Sequence, residues 1–350
     1  MTLTASIERC RRDKEDWKYT DLEALLKTPR PRSVSFKSQQ AGSDARLVFM
    51  NGVWQPKLSH FGSIPSCILM GDLESGYTLT LGEQTCLVAQ PIELVFASDK
   101  NAPKEIALKF SISIGNNGRL TLLENYLASN VPTTVETDIA LHPQSKFVHG
   151  KIVGGGVHLA THNIHALEGC YYSNFSLLRG GSPIRNELDV LLVGEGAQVA
   201  LNGIMLLRNR EHADTTTRIT HQAPGCSSRQ VFKTVLDDKS RGVFKGKISV
   251  VEGAQKSDGY QLSRALLLSD QAEMDAKPEL EIFADDVKCS HGSSIGDLDD
   301  DAMFYLRSRG LNEKQARRLL IEGFVSEMLD EIRVEEWREI FRHEIEGWEK

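Results

Sequence analysis

The spacing of apolar positions changes twice along the chain. Over residues 1 to about 30, Leu22, Leu25 and Leu26 recur at helical spacing behind Thr20-Asp-Leu-Glu23, which fits a capping box. Thr28-Pro-Arg-Pro-Arg32 then ends the helix, and Ser33 to Ser43 reads as a polar linker. From about Arg46 to Lys288 the period is two. Short β-branched runs such as Ile112 to Ile114, Val190 to Val193 and Ile248 to Val251 each precede a turn rich in Gly, Asn or Glu. Two of these turns share a text, Val193-Gly-Glu-Gly-Ala-Gln198 and Val251-Glu-Gly-Ala-Gln255. A repeated strand–turn–strand unit predicts stacked β rungs, each burying its inner face on the next. Periodicity alone fits a sandwich or a barrel nearly as well.

Beyond about Leu298 the helical period returns. Ala302 to Arg309 reads as one helix with Gly310 at its stop. Asn312 with Gln315 caps a second, whose apolar face is Ala316, Leu319, Leu320, Phe324 and Met328. A third carries Trp337, Ile340, Phe341, Ile345 and Trp348 on one side. Packing within the protein is the first assignment for these stripes, and a partner-docking face the second, because a terminal appendage has little β core to cover. The expected units are 1–45, a helical segment and linker; 46–297, the β core; and 298–350, a helical domain.

Composition narrows the classes. With 350 residues, 40% hydrophobic and 25% charged, the chain supports a packed core and excludes wholesale disorder. A net charge of −7 and no long Lys/Arg run argue against nucleic acid as a partner. The longest apolar runs are far short of the roughly 20 residues of a spanning helix, so no membrane partner is expected. The N-terminus reaches a charge before any signal-peptide core forms. Six cysteines lie far apart with no C-x-x-C pair, which fits a reducing, cytoplasmic setting rather than a disulfide framework.

Four segments invite a chemical reading. Gly292-Ser-Ser-Ile-Gly296 matches the nucleophile elbow of serine hydrolases, with Ser294 as nucleophile. The following acidic run, Asp297-Leu-Asp-Asp-Asp301, has the wrong charge to sit beside an oxyanion, and only His343 lies downstream as a base; a hydrolase is the alternative reading. Ser240-Arg-Gly242-Val-Phe-Lys-Gly246-Lys247 approximates a P-loop, but its glycines are too close and Ile248 stands where the magnesium ligand belongs. In an extended chain His158 and His162 share a face and His165 opposes them. Two ligands rarely hold zinc, so a solvated strand face is expected. Cys289 and His291, at i and i+2, project together as thiol and imidazole, both good iron ligands. Two ligands do not complete a cluster's four-ligand shell, and the bland alternative is a buried Cys beside a surface His.

Longer segments carry a resemblance. Lys277-Pro-Glu-Leu-Glu-Ile-Phe-Ala-Asp-Asp-Val-Lys-Cys-Ser-His-Gly292, continuing into Asp299-Asp-Asp-Ala-Met-Phe-Tyr-Leu-Arg-Ser-Arg-Gly310, resembles the C-terminal signature of the SufD branch of the SufB/SufD family. Ser228 to Gly246, Lys256-Ser-Asp-Gly259 and the N-terminal Glu15-Asp-Trp-Lys-Tyr-Thr-Asp-Leu22 agree with the same branch. The match is dense from about 226 to 325 and sparse from 60 to 220. Cys-Ser-His-Gly at 289–292 is similar to SufD, whereas the SufB paralogue carries a His-Glu pair there. The chain departs by a short N-terminal region and by Gln261-Leu-Ser-Arg-Ala265, which lacks the usual asparagines. The resemblance implies a mainly β protein, a right-handed parallel β-helix core flanked by N-terminal and C-terminal α-helical regions. It implies a non-catalytic scaffold for iron–sulfur cluster assembly that pairs with SufB; self-pairing of the chain when alone is left open by the sequence. It also implies docking of the ATPase SufC on the C-terminal helices, through Leu319, Leu320, Phe324 and Met328. No cofactor would be held permanently; a transient iron–sulfur cluster would form at the SufB–SufD interface, where His291 corresponds to the family histidine with Cys289 beside it.

Overall fold

A computed structural model describes residues 2–27, 45–60, 67–72, 74–81, 91–129 and 131–349. The expected linker, Ser33 to Ser43, lies outside them. The N-terminal part holds α1 (Leu3–Arg12) and α2 (Leu22–Leu26), then β1 (Ala45–Met50), β2 (Val53–Trp54), β3 (Cys67–Asp72), β4 (Gly76–Leu81) and β5 (Ile92–Ala97). The middle runs through β6 (Ile106–Ile114), β7 (Arg119–Tyr126), β8 (Thr133–Leu141), β9 (Lys146–Val153), β10 (His158–Ala166), β11 (Tyr171–Arg179) and β12 (Ile184–Leu192). Then come β13 (Gln198–Leu207), β14 (His212–His221), β15 (Ser227–Leu236), β16 (Arg241–Val250), β17 (Asp258–Leu267), β18 (Glu273–Ile282) and β19 (Lys288–Asp297). The chain closes with α3 (Asp300–Ser308), α4 (Glu313–Leu329) and α5 (Glu335–Glu349).

From β4 onward successive strands alternate between two sheets, and from β6 onward each pairs in parallel with the strand two places before it; β4 pairs antiparallel with β3, and β5 in parallel with β1. The odd-numbered sheet ends at β19 and the even-numbered sheet at β18. This is a mainly β, parallel solenoid of about 7 turns with helical regions at both ends, as the stacked-rung reading expected. The turn text shared by residues 193–198 and 251–255 does mark one corner, two coils apart. Its register, however, slips. Gly196 stacks on Gly225, and Gly225 on Lys256, three places beyond Gly253.

That corner is a column of left-handed residues. Asn117, Gln144, Gly169, Gly196, Gly225 and Lys256 have φ of 59°, 62°, 61°, 68°, 67° and 60°. Each donates its backbone N–H to the carbonyl of the residue just before the next member: Asn117 to Pro143, Gln144 to Glu168, Gly169 to Glu195, Gly196 to Pro224 and Gly225 to Gln255, at 2.8–3.1 Å. Three members carry side chains and adopt the conformation at a cost of about 1–2 kcal/mol each, which the stacked hydrogen bonds offset.

Inside the coils, inward residues of the two sheets form the main core. Its N-terminal end is aromatic: Phe49 stacks on Phe96 at 5.0 Å and Phe96 on Tyr126 at 4.3 Å between centroids. A second core forms outside, where α4 and α5 cover the outer face of the odd-numbered sheet. Leu123, Ile152, Phe175, Leu177, Ile204 and Val231 meet Ile321, Val325, Trp337 and Phe341 there. The C-terminal helices therefore pack within the protein, as the first assignment of their stripes has it, and the β surface they cover removes the argument that a terminal appendage has little β core to cover. Trp337, Phe341, Ile345 and Trp348 are buried as one stripe, as their spacing predicts. The buried stripe of α4 is Ala316, Ile321, Val325, Met328 and Leu329, rotated from the predicted face: Leu319 is 46% exposed, and Leu320 and Phe324 are half-buried. Asn312 and Gln315 form the expected capping box, and Gly310 (φ +98°) ends α3. At the N-terminus the cap of α2 is Asp21, not Thr20. Thr20 is buried and employed elsewhere.

Close approach of α5 to the sheet makes one glycine obligatory. A Cβ on Gly150 would stand 2.8 Å from both Leu123 Cδ1 and Trp337 Cζ3. Gly150→Ala is therefore expected to destabilise the protein by about 1–3 kcal/mol, the usual range for overpacking, with Trp337 fluorescence shifting as α5 lifts. An unchanged urea midpoint and spectrum would refute that packing.

Candidate functional site

The solenoid ends on β18 and β19, whose outer edges have no strand partner among the described residues. In β19, Cys289 pairs with Gly259 and His291 with Gln261. Gln261 is fully buried inside the coils, donating its side-chain amide to the Gly246 carbonyl at 3.2 Å. Cys289 and His291 therefore continue the inward register on a coil that nothing caps. They share a face, as expected from i and i+2, but their surroundings differ. Cys289 is half-buried against the cluster of Ile248, Val250, Ala254 and Ala284. Burial pushes its thiol up, helped by the Asp258 charge and opposed by a hydrogen bond from the Gly259 backbone. His291 is exposed. The rim around them is apolar as well: Ile295 is 48% and Phe283 66% exposed.

Ser294 lies mid-strand in β19, opposite Arg264 and followed by three more strand residues. An elbow needs a sharp strand-to-helix turn at the serine; here α3 begins only at Asp300, capped by Asp299. Asp299 to Asp301 thus open a helix, where their charge suits the N-terminus. The geometry for the hydrolase alternative is missing. The P-loop-like Ser240 to Lys247 falls almost wholly within β16, paired on both sides, so it cradles nothing.

The histidine stretch departs from its expectation. In β10 His165 is exposed, but His158 and His162 are 2% and 1% exposed and point into the solenoid. His162 Nε2 stands 3.7 Å from Glu124 Oε2 and His149 Nε2 stands 3.3 Å from Glu124 Oε1. Burial lowers His162 to about 4, with the Lys151 charge adding to it, and pushes His158 well down. Lys151, also enclosed, is lowered by burial to about 8. A signal for this interior was available: Glu124, Lys151 and His162 extend the same alternation as Leu122, Phe147 and Ile164. Period two does not reveal which face is enclosed.

A family profile described as "SUF system FeS cluster assembly, SufBD core domain" matches residues 96–324, from β5 into α4. The chain is 30% identical to the iron–sulfur cluster assembly protein SufD of Escherichia coli (strain K12), over 93% of this chain and 85% of that protein. It is 28% identical to a SufBD family protein of Synechocystis over 94% of this chain and 85% of that protein. With a SufBD family protein of Pyrococcus horikoshii it shares 38% identity over 41% of this chain and 32% of the relative. The chain belongs to the SufBD family.

The SufD-like N-terminal segment around Trp17 to Thr20 now has a physical role, which the sequence reading left open. It crosses the outer face of the even-numbered sheet. The buried Trp17 indole lies 3.9 Å from the Arg185 guanidinium. Arg185 is paired with Glu187 and Asp214, and Arg9 reaches Glu187 at 2.8 Å. The Thr20 hydroxyl donates to Asp214 at 2.6 Å and touches His212 Nε2 at 3.0 Å. The alternating charges Arg185, Glu187 and Asp189 on one strand face were the available signal.

His212 beneath this segment and His221 at the far end of the same strand are both lowered to about 4, chiefly by burial. A histidine whose folded value lies below its unfolded 6.5 lets the unfolded state take up the proton first, so folding weakens as pH falls from 6.5 toward 4. At pH 5 each is expected to cost on the order of 2 kcal/mol relative to pH 7.5. His212→Gln should remove its share of the change in urea midpoint between those pH values. A pH dependence identical to that of the unmodified chain would contradict this assignment.

Proposed function

We propose that this chain is a non-catalytic, cytoplasmic scaffold subunit of iron–sulfur cluster assembly, pairing with SufB through the open end of the solenoid. The observation that carries the reading is His291, exposed on the inward register of the last strand beside the half-buried Cys289. Support comes from physics as well as family. An unpaired strand edge with an apolar rim is a ready template for a second chain. An imidazole there can bind iron exchangeably, and the partner must complete the shell. The iron–sulfur cluster is then cargo, not a resident cofactor. A second copy of this chain is the alternative occupant of the same edge when SufB is absent.

In this reading the ATPase SufC docks on the exposed side of the C-terminal helices. Leu319 and, on α3, Phe304 (76% exposed) and Tyr305 (55%) form the available apolar surface, with Leu320 and Phe324 at its margin. Met328 is excluded because it is 1% exposed in the core beneath the helices. Hydrolysis of ATP would belong to the docked subunit.

Two measurements bear on this proposal. Co-expressed with its partners, the His291→Ala chain should assemble normally yet yield little cluster on anaerobic reconstitution, read by visible absorption and by iron and sulfide content. Cys289→Ala should be milder, since burial keeps that thiol protonated. Wild-type cluster yield in an intact His291→Ala complex would leave the histidine structural. For the helical face, Phe304→Glu with Leu319→Glu should abolish ATPase binding by calorimetry while circular dichroism stays unchanged, because both side chains project into solvent. Met328→Ala should instead cost about 2–5 kcal/mol of stability. Undiminished binding by the double variant would reject the docking face.

A further inference from the structure

Within the solenoid, far from β19 in sequence, lies a set of side chains that has no part in the assembly reading proposed above. Glu124 on β7, His149 on β9 and His162 on β10 come from three strands and both sheets, and each is 1% exposed. One carboxylate oxygen and one nitrogen from each imidazole all lie within 4.8 Å of one another. We propose that these three residues bind a divalent first-row transition ion, zinc or ferrous iron, that ties two coils and both sheets together from inside.

Three observations carry this. In a tetrahedral shell with bonds of about 2.0–2.1 Å, ligand atoms stand about 3.4 Å apart. His149 Nε2 stands 3.3 Å from Oε1 of Glu124 and His162 Nε2 stands 3.7 Å from its Oε2, and one donor atom from each residue lies within 4.8 Å of the others, so a modest turn of the carboxylate and drawing-in of the rings complete the geometry. Second, His149 Nε2 and both ring nitrogens of His162 are buried without a hydrogen bond of normal geometry. Enclosed polar atoms are almost always satisfied, and a metal would satisfy the two Nε2 atoms that face Glu124. Third, outer partners are in place to orient the ligands. His149 Nδ1 is 3.0 Å from the Tyr172 hydroxyl, which can accept Nδ1–H and leave Nε2 free to coordinate. The Tyr126 hydroxyl donates to Glu124 Oε2 at 3.0 Å.

The donor set also selects the ion. Two neutral imidazoles and one carboxylate suit zinc or ferrous iron and give magnesium or calcium too few oxygens. Lys151 nearby adds positive charge, which opposes any cation and so selects against ions bound only electrostatically more strongly than against those that bind imidazole with partly covalent bonds. The enclosure means the ion would enter during folding, not by diffusion into the finished coil. The inference is independent of the assembly reading, since none of these residues lies on the last coil.

The test uses the full chain carrying Cys289→Ser and His291→Ala, so that the open end contributes no ligand. After denaturation with chelator, it is refolded with Zn(II) or Co(II) and desalted. About one ion per chain should remain by mass spectrometry, with Co(II) giving the visible spectrum of nitrogen and oxygen ligation and the thermal midpoint rising by several degrees. Glu124→Gln with His162→Gln should lose the ion, and His165→Gln, exposed on the same strand, should keep it. Should the double variant fail to fold, zinc-edge X-ray absorption on the parent decides, where two imidazoles are expected. No retained metal, a sulfur ligand, a shell without two imidazoles, or equal retention by a folded double variant would each overturn the proposal.

Discussion

The whole arrangement hangs on the corner column of left-handed residues from Asn117 to Lys256. A parallel coil has no tight hairpin to fix its register, so something else must hold successive strands level. Here each corner N–H reaches the carbonyl of the coil above, and the column reads out as exact residue partners, His158 over Ile184 and Tyr171 over Gln198. Coils of unequal length are tolerated. Lys146 to Tyr171 takes 25 residues and Asp258 to Lys288 takes 30, with the surplus in other turns. The same constraint sets the faces. Once register is fixed, every inward side chain stacks on an inward neighbour, and a polar group inside can only be met by other inward groups.

The interior responds in zones. The first coils use aromatic stacks, which fill space without polar demands. The middle coils admit Glu124, His149, Lys151 and His162, where charge is compensated locally or left short of partners. The outer faces are solved separately: one sheet by the apolar stripes of α4 and α5, the other by the Arg185 ion network beneath Trp17. Buried charge pairs of the second kind add little net stability over apolar packing but penalise any mispaired alternative, which suits a short segment that must land in one place.

This division explains what the sequence made legible. Turn residues and period two pointed to stacked strands, and the Asn312–Gln315 box and Gly310 located helix ends, because caps and turns are local chemistry. The faces were harder. A strand buried on both sides shows the same alternation as one half in water, so His158 and His162 looked like a solvated edge. The stripe on α4 was taken from Leu319 and Leu320, when the sheet it covers selects Ile321 and Val325. The match of Gly292 to Gly296 to a hydrolase motif failed for a related reason. A five-residue text carries no information about whether its backbone turns. The pair Cys289 and His291 was legible since adjacent same-face positions in a strand need no knowledge of the rest.

The end of the column gives that pair its character. Lys256 donates to the Asp286 carbonyl, and no further coil follows β19 among the described residues. His291 is thus supported from below by Gln261 and open above, a position that orients an imidazole without enclosing it. Cys289 beside it is seated on Gly259, whose lack of a side chain lets the sulfur sink to 3.2 Å from where a Cβ would be. Sunk in this way, beside Asp258, the thiol is held in its protonated form. Converting it to a thiolate ligand requires positive charge brought from outside the chain, by iron or by a cationic partner group. In the proposed reading, an exposed imidazole and a thiol silent until a cation arrives would make a site that stays inactive alone and engages only when the end of the solenoid is covered.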